Sequence, residues 1–279
     1  TARAVPFNSY TRKMVGYLVA MERGHQWIRE TDDDNSPYAS FFELVPSSVL
    51  CRVPSGQNGW VNIYAYFTSR HMWPRGFPLS LVNAGTSWSL ETSRRMVNGP
   101  FILQAVANGD PDVDAIYRLT AADTGDIKFD AAEPLVLPEG SWTPFNSQAT
   151  TWPRELFTLM YLPVTCSFRM TDIWRSFVVQ RLLPGLGASL VVTSATVHQD
   201  RNEHNLLADF AQEVSGYLGT EKIREVLDST PISGAPESIA TDLRALYAAL
   251  VREGFLTEAE LPTLDAWLAD VTALGLVSG

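Results

Sequence analysis

The apolar positions of this chain first mark a helix. From Thr11 to Arg23, Met14, Val15, Leu18, Val19 and Met21 follow helical spacing, and Gly24 is placed to stop the helix. Trp27 and Ile28 then read as a short buried strand that runs into Glu30-Thr31-Asp32-Asp33-Asp34-Asn35. Residues 36–60, rich in Ser, Pro and Gly, read as loop. The β-branched and aromatic run from Val61 to Phe67 alternates and predicts a strand. His71 to Pro78, where two prolines bracket a glycine, predicts an ordered turn. Phe101 to Val106 reads as a strand that breaks into a loop over Asn108 to Asp114. Leu135 to Pro138 and Trp142 to Asn146 predict short strands around a turn, and Pro153 to Tyr161 is mixed. Thr171 or Asp172 is suited to cap a helix through Ile173, Trp174, Phe177, Val178 and Leu182, stopped by Pro184-Gly185. Ser189 to Thr193 is a β-branched strand.

After residue 204 the texture changes. Leu206 to Tyr217, Glu221 to Leu227, Ile239 to Gly254 and Leu264 to Leu274 all carry helical apolar stripes, and Thr257 to Glu260 opens a short acidic turn. The expected layout is an α/β body over 1–205 and a helical C-terminal extension over 206–279 packed on it. A separate helical domain is the other arrangement.

Composition narrows the function. A net charge of −10 argues against a general nucleic-acid binder and against docking on an anionic membrane. No stretch of about 20 apolar residues is present to span a bilayer. Cys51 and Cys166 form neither a disulfide framework nor a zinc-type cluster. The chain opens at Thr1 and enters a polar, turn-rich stretch at once. The expectation is that an N-terminal nucleotide-binding strand is missing.

The acidic run is the main chemical signal. Clustered carboxylates at the end of a strand offer hard oxygen ligands at the carboxyl edge of a sheet, which suits Mg²⁺ or Mn²⁺ bridging a substrate diphosphate. The same residues also favour a solvated turn. Arg12 and Lys13 begin a helix, where backbone N–H groups favour anions, although solvation explains them as well. Asp112 and Asp114 are placed either to hold sugar hydroxyls or to form a turn, and Arg201 is a candidate for diphosphate.

Several ordered blocks carry a resemblance. Arg12-Lys13-Met14-Val15-Gly16-Tyr17-Leu18, Trp73-Pro74-Arg75-Gly76-Phe77-Pro78-Leu79, Asn108 to Asp114, Thr171-Asp172-Ile173-Trp174-Arg175, Gln180 to Leu183, Thr196-Val197-His198, Glu253 to Glu258 and Ala266 to Asp270 look like STELLO-type proteins. A more distant similarity is to reversibly glycosylated polypeptides, which include UDP-arabinopyranose mutases. The resemblance implies a GT-A-like, Rossmann-like mixed sheet flanked by helices. It implies a metal-dependent glycosyltransferase with a nucleotide-sugar donor, a UDP-sugar foremost, and a glycan acceptor in polysaccharide synthesis. A sugar-nucleotide mutase, a self-glycosylating protein and a non-catalytic scaffold are the alternatives. The family's acidic motif, Asp-x-Asp-Asp, falls on Glu30, Asp32 and Asp33, while a second frame joins Asp32 to Asp34. Asp32 is common to both, so Asp32, Asp34 and Glu30 are the expected metal ligands, joined by His198 as the late histidine of such folds. Asp172 matches the base position, and Arg75 matches the arginine that accepts sugar in the mutases. The compartment stays open between the cytoplasm and, where a longer protein carries an anchor, the Golgi lumen.

Overall fold

The computed structural model describes residues 1–54, 59–84, 93–200, 202 and 205–277. The sheet at its centre is built from β1 (Trp27–Thr31), β2 (Asn35–Pro37), β3 (Val49–Arg52), β4 (Arg94–Val97), β5 (Phe101–Gly109), β6 (Leu135–Val136), β7 (Ala149–Pro153) and β8 (Ser189–Gln199). Their order is β1-β7-β5-β8-β6-β3-β4, with β2 paired to β8. β5 and β8 run parallel in the middle, as do β3 and β6, and the other pairs are antiparallel. β1 is antiparallel to β7 and β7 to β5, so β1, β5 and β8 all end at one edge.

Alternation along β5 and β8 feeds two cores. Ile102, Leu190 and Val192 join the large core shared with the helices. Phe101 and Val191 pack the other way with Cys51, Val97 and Val136. Strands covered on both faces must be apolar throughout, which is why these runs were legible as strands. The helices are α1 (Lys13–Glu22), α2 (Tyr64–Phe67), α3 (Ala115–Thr120), α4 (Thr171–Leu182), α5 (Leu206–Ser229), α6 (Ile239–Arg252) and α7 (Glu260–Ala273). The result is a mixed sheet flanked by helices, a Rossmann-like α/β arrangement.

α4 is the hub of the helical layer. It is buried along almost its whole length, and both α5 and α6 pack on it. α7 packs on α6, and its Trp267 shares a core with Met14 of α1 and Trp152 of β7. Polar anchors fix this end as well. Trp267 Nε1 donates to Thr158 O at 2.9 Å, and Glu260 accepts from the backbone N–H groups of Val164 at 3.0 Å and Thr165 at 2.9 Å.

Local patterning misleads in several places. Val61 to Phe67 is no strand. Asn62 donates to Met72 O at 2.7 Å and accepts from Tyr64 N at 3.2 Å, so the chain turns into α2 and buries Val61, Ile63, Tyr64 and Phe67. The supposed loop 36–60 contains β2 and β3, which are short and lie at or near the sheet's margins. Trp142 to Asn146 makes only a bridge to Trp60, whereas β7 just after it is a strand. β5 and β8 run on to Gly109 and Gln199. The two segments from Leu206 to Leu227 are one helix, and Met170 sits against Gly216 where a Cβ would collide. α4 has Met170 at its N-cap, so neither Thr171 nor Asp172 caps it by a side chain.

A buried ion pair ties the layers together. Arg175 of α4, 0% exposed at its side chain, donates to both carboxylate oxygens of Glu30 on β1 at 3.0 and 3.1 Å. Tyr17 of α1 and Trp152 of β7 also donate to Glu30, and the guanidinium lies 5.0 Å from the Trp152 ring centroid. Removing one partner strands the other charge in a low-dielectric site. Arg175→Met is therefore expected to destabilise by about 3–5 kcal/mol, read from urea unfolding. Adding Glu30→Gln should restore part of that loss, and an additive double mutant would contradict the coupling.

Candidate active site

A cavity of about 400 Å³ opens at the edge where β1, β5 and β8 end. The chain past β1 brings Asp32, Asp33 and Asp34, the loop after β5 brings Asp112, and β8 ends in Gln199. Lys13 comes from the first turn of α1, and Asp172 from the first turn of α4. Tyr10, Arg75, Phe168 and Arg169 complete most of the wall. Ligands collect at this edge in open α/β sheets because loops diverge there.

Arg75 organises the floor. Its Nε and Nη2 donate to Asp112 Oδ1 and Oδ2 at 2.7 and 2.8 Å, and Nη2 reaches Asp172 Oδ1 and Oδ2 at 3.2 and 3.3 Å. Nη1 donates to Arg169 O. Burial works against the guanidinium charge, but Asp112 and Asp172 outweigh it and hold its pKa well above the ordinary arginine value. In return, burial raises the Asp112 carboxyl, while Arg75 overcomes this and holds it well below the usual carboxylate range. Gly76 explains the Arg-Gly-aromatic-Pro block. Its φ of 86° is left-handed, and a Cβ there would collide with Ile173, the residue after Asp172. Only glycine lets the Arg75 turn come this close to α4.

A second cluster lines the wall. Lys13 Nζ lies 2.6 Å from Asp32 Oδ1 and 3.0 Å from Tyr10 Oη. Tyr10 and Ser147 share a hydrogen bond, and Ser147 donates to Asp172 Oδ2 through its N–H at 3.2 Å and its hydroxyl at 3.4 Å. A continuous polar chain thus joins Asp32 to Asp172. Burial raises the Asp32 carboxyl, Lys13 opposes this, and Asp172 and Asp112 raise it further. Burial and the carboxylates Asp172 and Asp32 also raise the Tyr10 phenol, so it stays neutral. Asp34 accepts from Gln199 Nε2 at 3.0 Å through Oδ2, and its buried Oδ1 has no hydrogen-bond partner among the described residues.

Residues 169–278 match the family of STELLO glycosyltransferases. Two proteins of Arabidopsis thaliana, named probable glycosyltransferase STELLO1 and probable glycosyltransferase STELLO2, are each 33% identical to this chain over 97% of its length. This chain is related to the STELLO glycosyltransferases. It spans 37% of the length of either relative.

Against this STELLO relationship, the expected site residues divide. Asp32, Asp34, Asp112, Asp172, Lys13 and Arg75 all line the one cavity. Glu30 does not, because it lies inside β1 on the same buried face as Ile28, where the Arg175 pair holds it in the core, whereas Asp32 follows the end of the strand. The Asp32-x-Asp34 frame is the one at the cavity. His198 is absent from the cavity wall, while its strand neighbour Gln199 is present. The imidazole lies over Gly109, with Nε2 3.2 Å from Asp200 Oδ1. Asp114 is a helix cap for α3, accepting from Tyr117 N at 2.7 Å and Trp73 Nε1 at 2.6 Å. Arg12 lies over the Phe7 ring at 4.9 Å and does not line the cavity. Arg201 lies outside the described residues. Among the described residues, no group of three or more His, Cys, Asp and Glu side chains forms a ready-made metal cage.

Tyr10, Ser147, Gln148 and Arg169 were not foreseen. One signal was available, since Asn146-Ser147-Gln148 is a polar run set between buried Phe145 and Ala149. Arg169 is placed by the C-terminal extension, through Nε to Glu213 Oε1 of α5 at 2.8 Å.

Asp114 supplies a pH test of this placement. Burial pushes its carboxyl up from 3.8 to about 6, despite the bonds from Tyr117 and Trp73. The folded value exceeds the unfolded one, so its stabilising contribution is full below about 3.8 and is lost as pH rises through about 6. Asp114→Asn should gain on the wild type across that window by about 3 kcal/mol. Unfolding curves at stepped pH check this, and a pH-independent offset would contradict it.

Proposed function

We propose that the cavity binds a nucleoside-diphosphate sugar together with Mg²⁺ or Mn²⁺ and transfers the sugar to a hydroxyl of a glycan acceptor. One observation carries this reading: three carboxylates from distant parts of the chain, Asp32, Asp112 and Asp172, share one cavity with Lys13 and Arg75. Carboxylates this crowded, with burial raising Asp32, attract a cation. The unpartnered Asp34 Oδ1 adds a second hard oxygen. The donor set suits a hard divalent ion that takes its remaining ligands from phosphate and water. Asp32 and Asp34 would hold that ion, and when bound it supplies charge neutralisation for the leaving diphosphate.

The chain's own residues support the remaining roles. Lys13, at the N-terminal turn of α1, is placed to pass from Asp32 to a phosphate oxygen. Asp172 is fixed by Arg75 and Ser147 with its carboxylate at the cavity wall, the position of a general base. As the acceptor oxygen bonds to the anomeric carbon, the bond to the diphosphate oxygen breaks and the hydroxyl proton passes to Asp172. Every guanidinium nitrogen of Arg75 is already donating, and its charge is reinforced by two carboxylates. This favours an organising role for Arg75 and a transferase over a mutase that would use it as a nucleophile.

Calorimetry with UDP and Mn²⁺ tests the reading. The wild type should bind, and Asp32→Ala should weaken binding at least about tenfold, or about 1.4 kcal/mol. Absence of heat with the wild type would favour a non-catalytic scaffold. Asp172→Asn should keep UDP affinity while lowering kcat by about 10²–10⁴-fold, and an unchanged kcat would remove Asp172 as the base.

A further inference from the structure

Phe168 is an aromatic ring that folding leaves uncovered. It is 56% exposed, yet it lines the cavity that holds Asp32 and Asp172. The backbone beneath it is held from several sides. Met170 N and Thr171 Oγ1 donate to Ser167 O at 3.0 and 3.2 Å. Ser167 Oγ donates to Gln212 O of α5 at 2.6 Å, and Arg169 is held both through its carbonyl by Arg75 and through its side chain by Glu213. The ring itself is braced by Tyr10, with centroids 5.3 Å apart and planes at 73°. Firm anchorage of an exposed apolar surface at a cavity wall marks a binding role rather than a core role.

We propose that Phe168 is the stacking platform for a pyranose ring of the acceptor, an inference that rests on the transferase reading above. A pyranose carries an apolar C–H face and a rim of hydroxyls. Stacking removes that face from water, and the hydroxyls are left for the polar groups next to Phe168 on the cavity wall, Tyr10 and Arg169. The platform belongs to the acceptor side because its turn adjoins the base. Arg75 bonds at once to Arg169 O, one residue from Phe168, and to Asp172. The Asp32 and Asp34 side of the cavity lies at the end of β1 and is left to the diphosphate.

Saturation-transfer NMR with the methyl glycosides of glucose, galactose and xylose, in the presence of UDP and Mn²⁺, tests the platform. At least one glycoside should receive saturation from the wild type. Phe168→Ala should weaken that glycoside about tenfold, while Phe168→Tyr should keep its affinity within about twofold. UDP affinity should be the same in all three proteins. Unchanged glycoside binding in Phe168→Ala, loss of UDP affinity in its place, or no glycoside signal in a wild type that binds UDP would each overturn the platform alone. A wild type that fails to bind UDP overturns the nucleotide reading and the platform with it.

Discussion

Arg75 holds Asp112 and Asp172 at the same time, and most of the cavity follows from that charge balance. Two carboxylates brought this close in a buried setting repel each other and lose hydration. A guanidinium between them offsets both costs, because its fork can meet one carboxylate with two nitrogens and still reach the next. The price is geometric. The loop after β5, the turn at Arg75 and the start of α4 must meet at one point, which demands a glycine at position 76 to clear Ile173. The same logic repeats on either side, with Lys13 balancing Asp32 and Arg175 balancing Glu30.

These pairs differ in what they leave available. The Glu30 pair is sealed and serves to dock α4 on β1. The Asp32 pair is partly exposed at the cavity, so an incoming phosphate or cation can rearrange it without opening the core. Function is expected where charge is balanced but still reachable, and architecture where it is balanced and closed. Lys13 and Arg175 stand on those two sides.

The C-terminal helices take part in this assembly. Glu213 of α5 accepts from Ala115 N at 2.8 Å, from Tyr217 Oη at 2.5 Å and from Arg169 Nε at 2.8 Å. It therefore links the start of α3, beside the Asp112 loop, to the turn that carries Phe168. A region whose apolar stripes suggested only packing thus sets the outline of the cavity. Glycines at 216 and 219 let α5 approach Met170 and Phe255 closely enough to do so.

Much of this was readable from residue order. Helical spacing with Gly24 behind it, the apolar runs of β5 and β8, the stripes after residue 204 and the acidic run closing β1 all depend on neighbours a few positions apart, and local sterics and burial decide them. The Asp32, Asp112 and Asp172 set was nameable as well, because its motifs resemble a family. What residue order left open was direction. Glu30 and Asp32 are alike as carboxylates, and so are Asp112 and Asp114, yet one of each pair faces the cavity while the other is absorbed by Arg175 or by the cap of α3. His198 and Gln199 part in the same way. The partner that settles each case lies far along the chain, as Arg175 does from Glu30, and only the closed core brings the two together. The short strands β2, β3 and β7 were hidden for a related reason, since a strand's pairing energy resides in neighbours that local patterning does not contain.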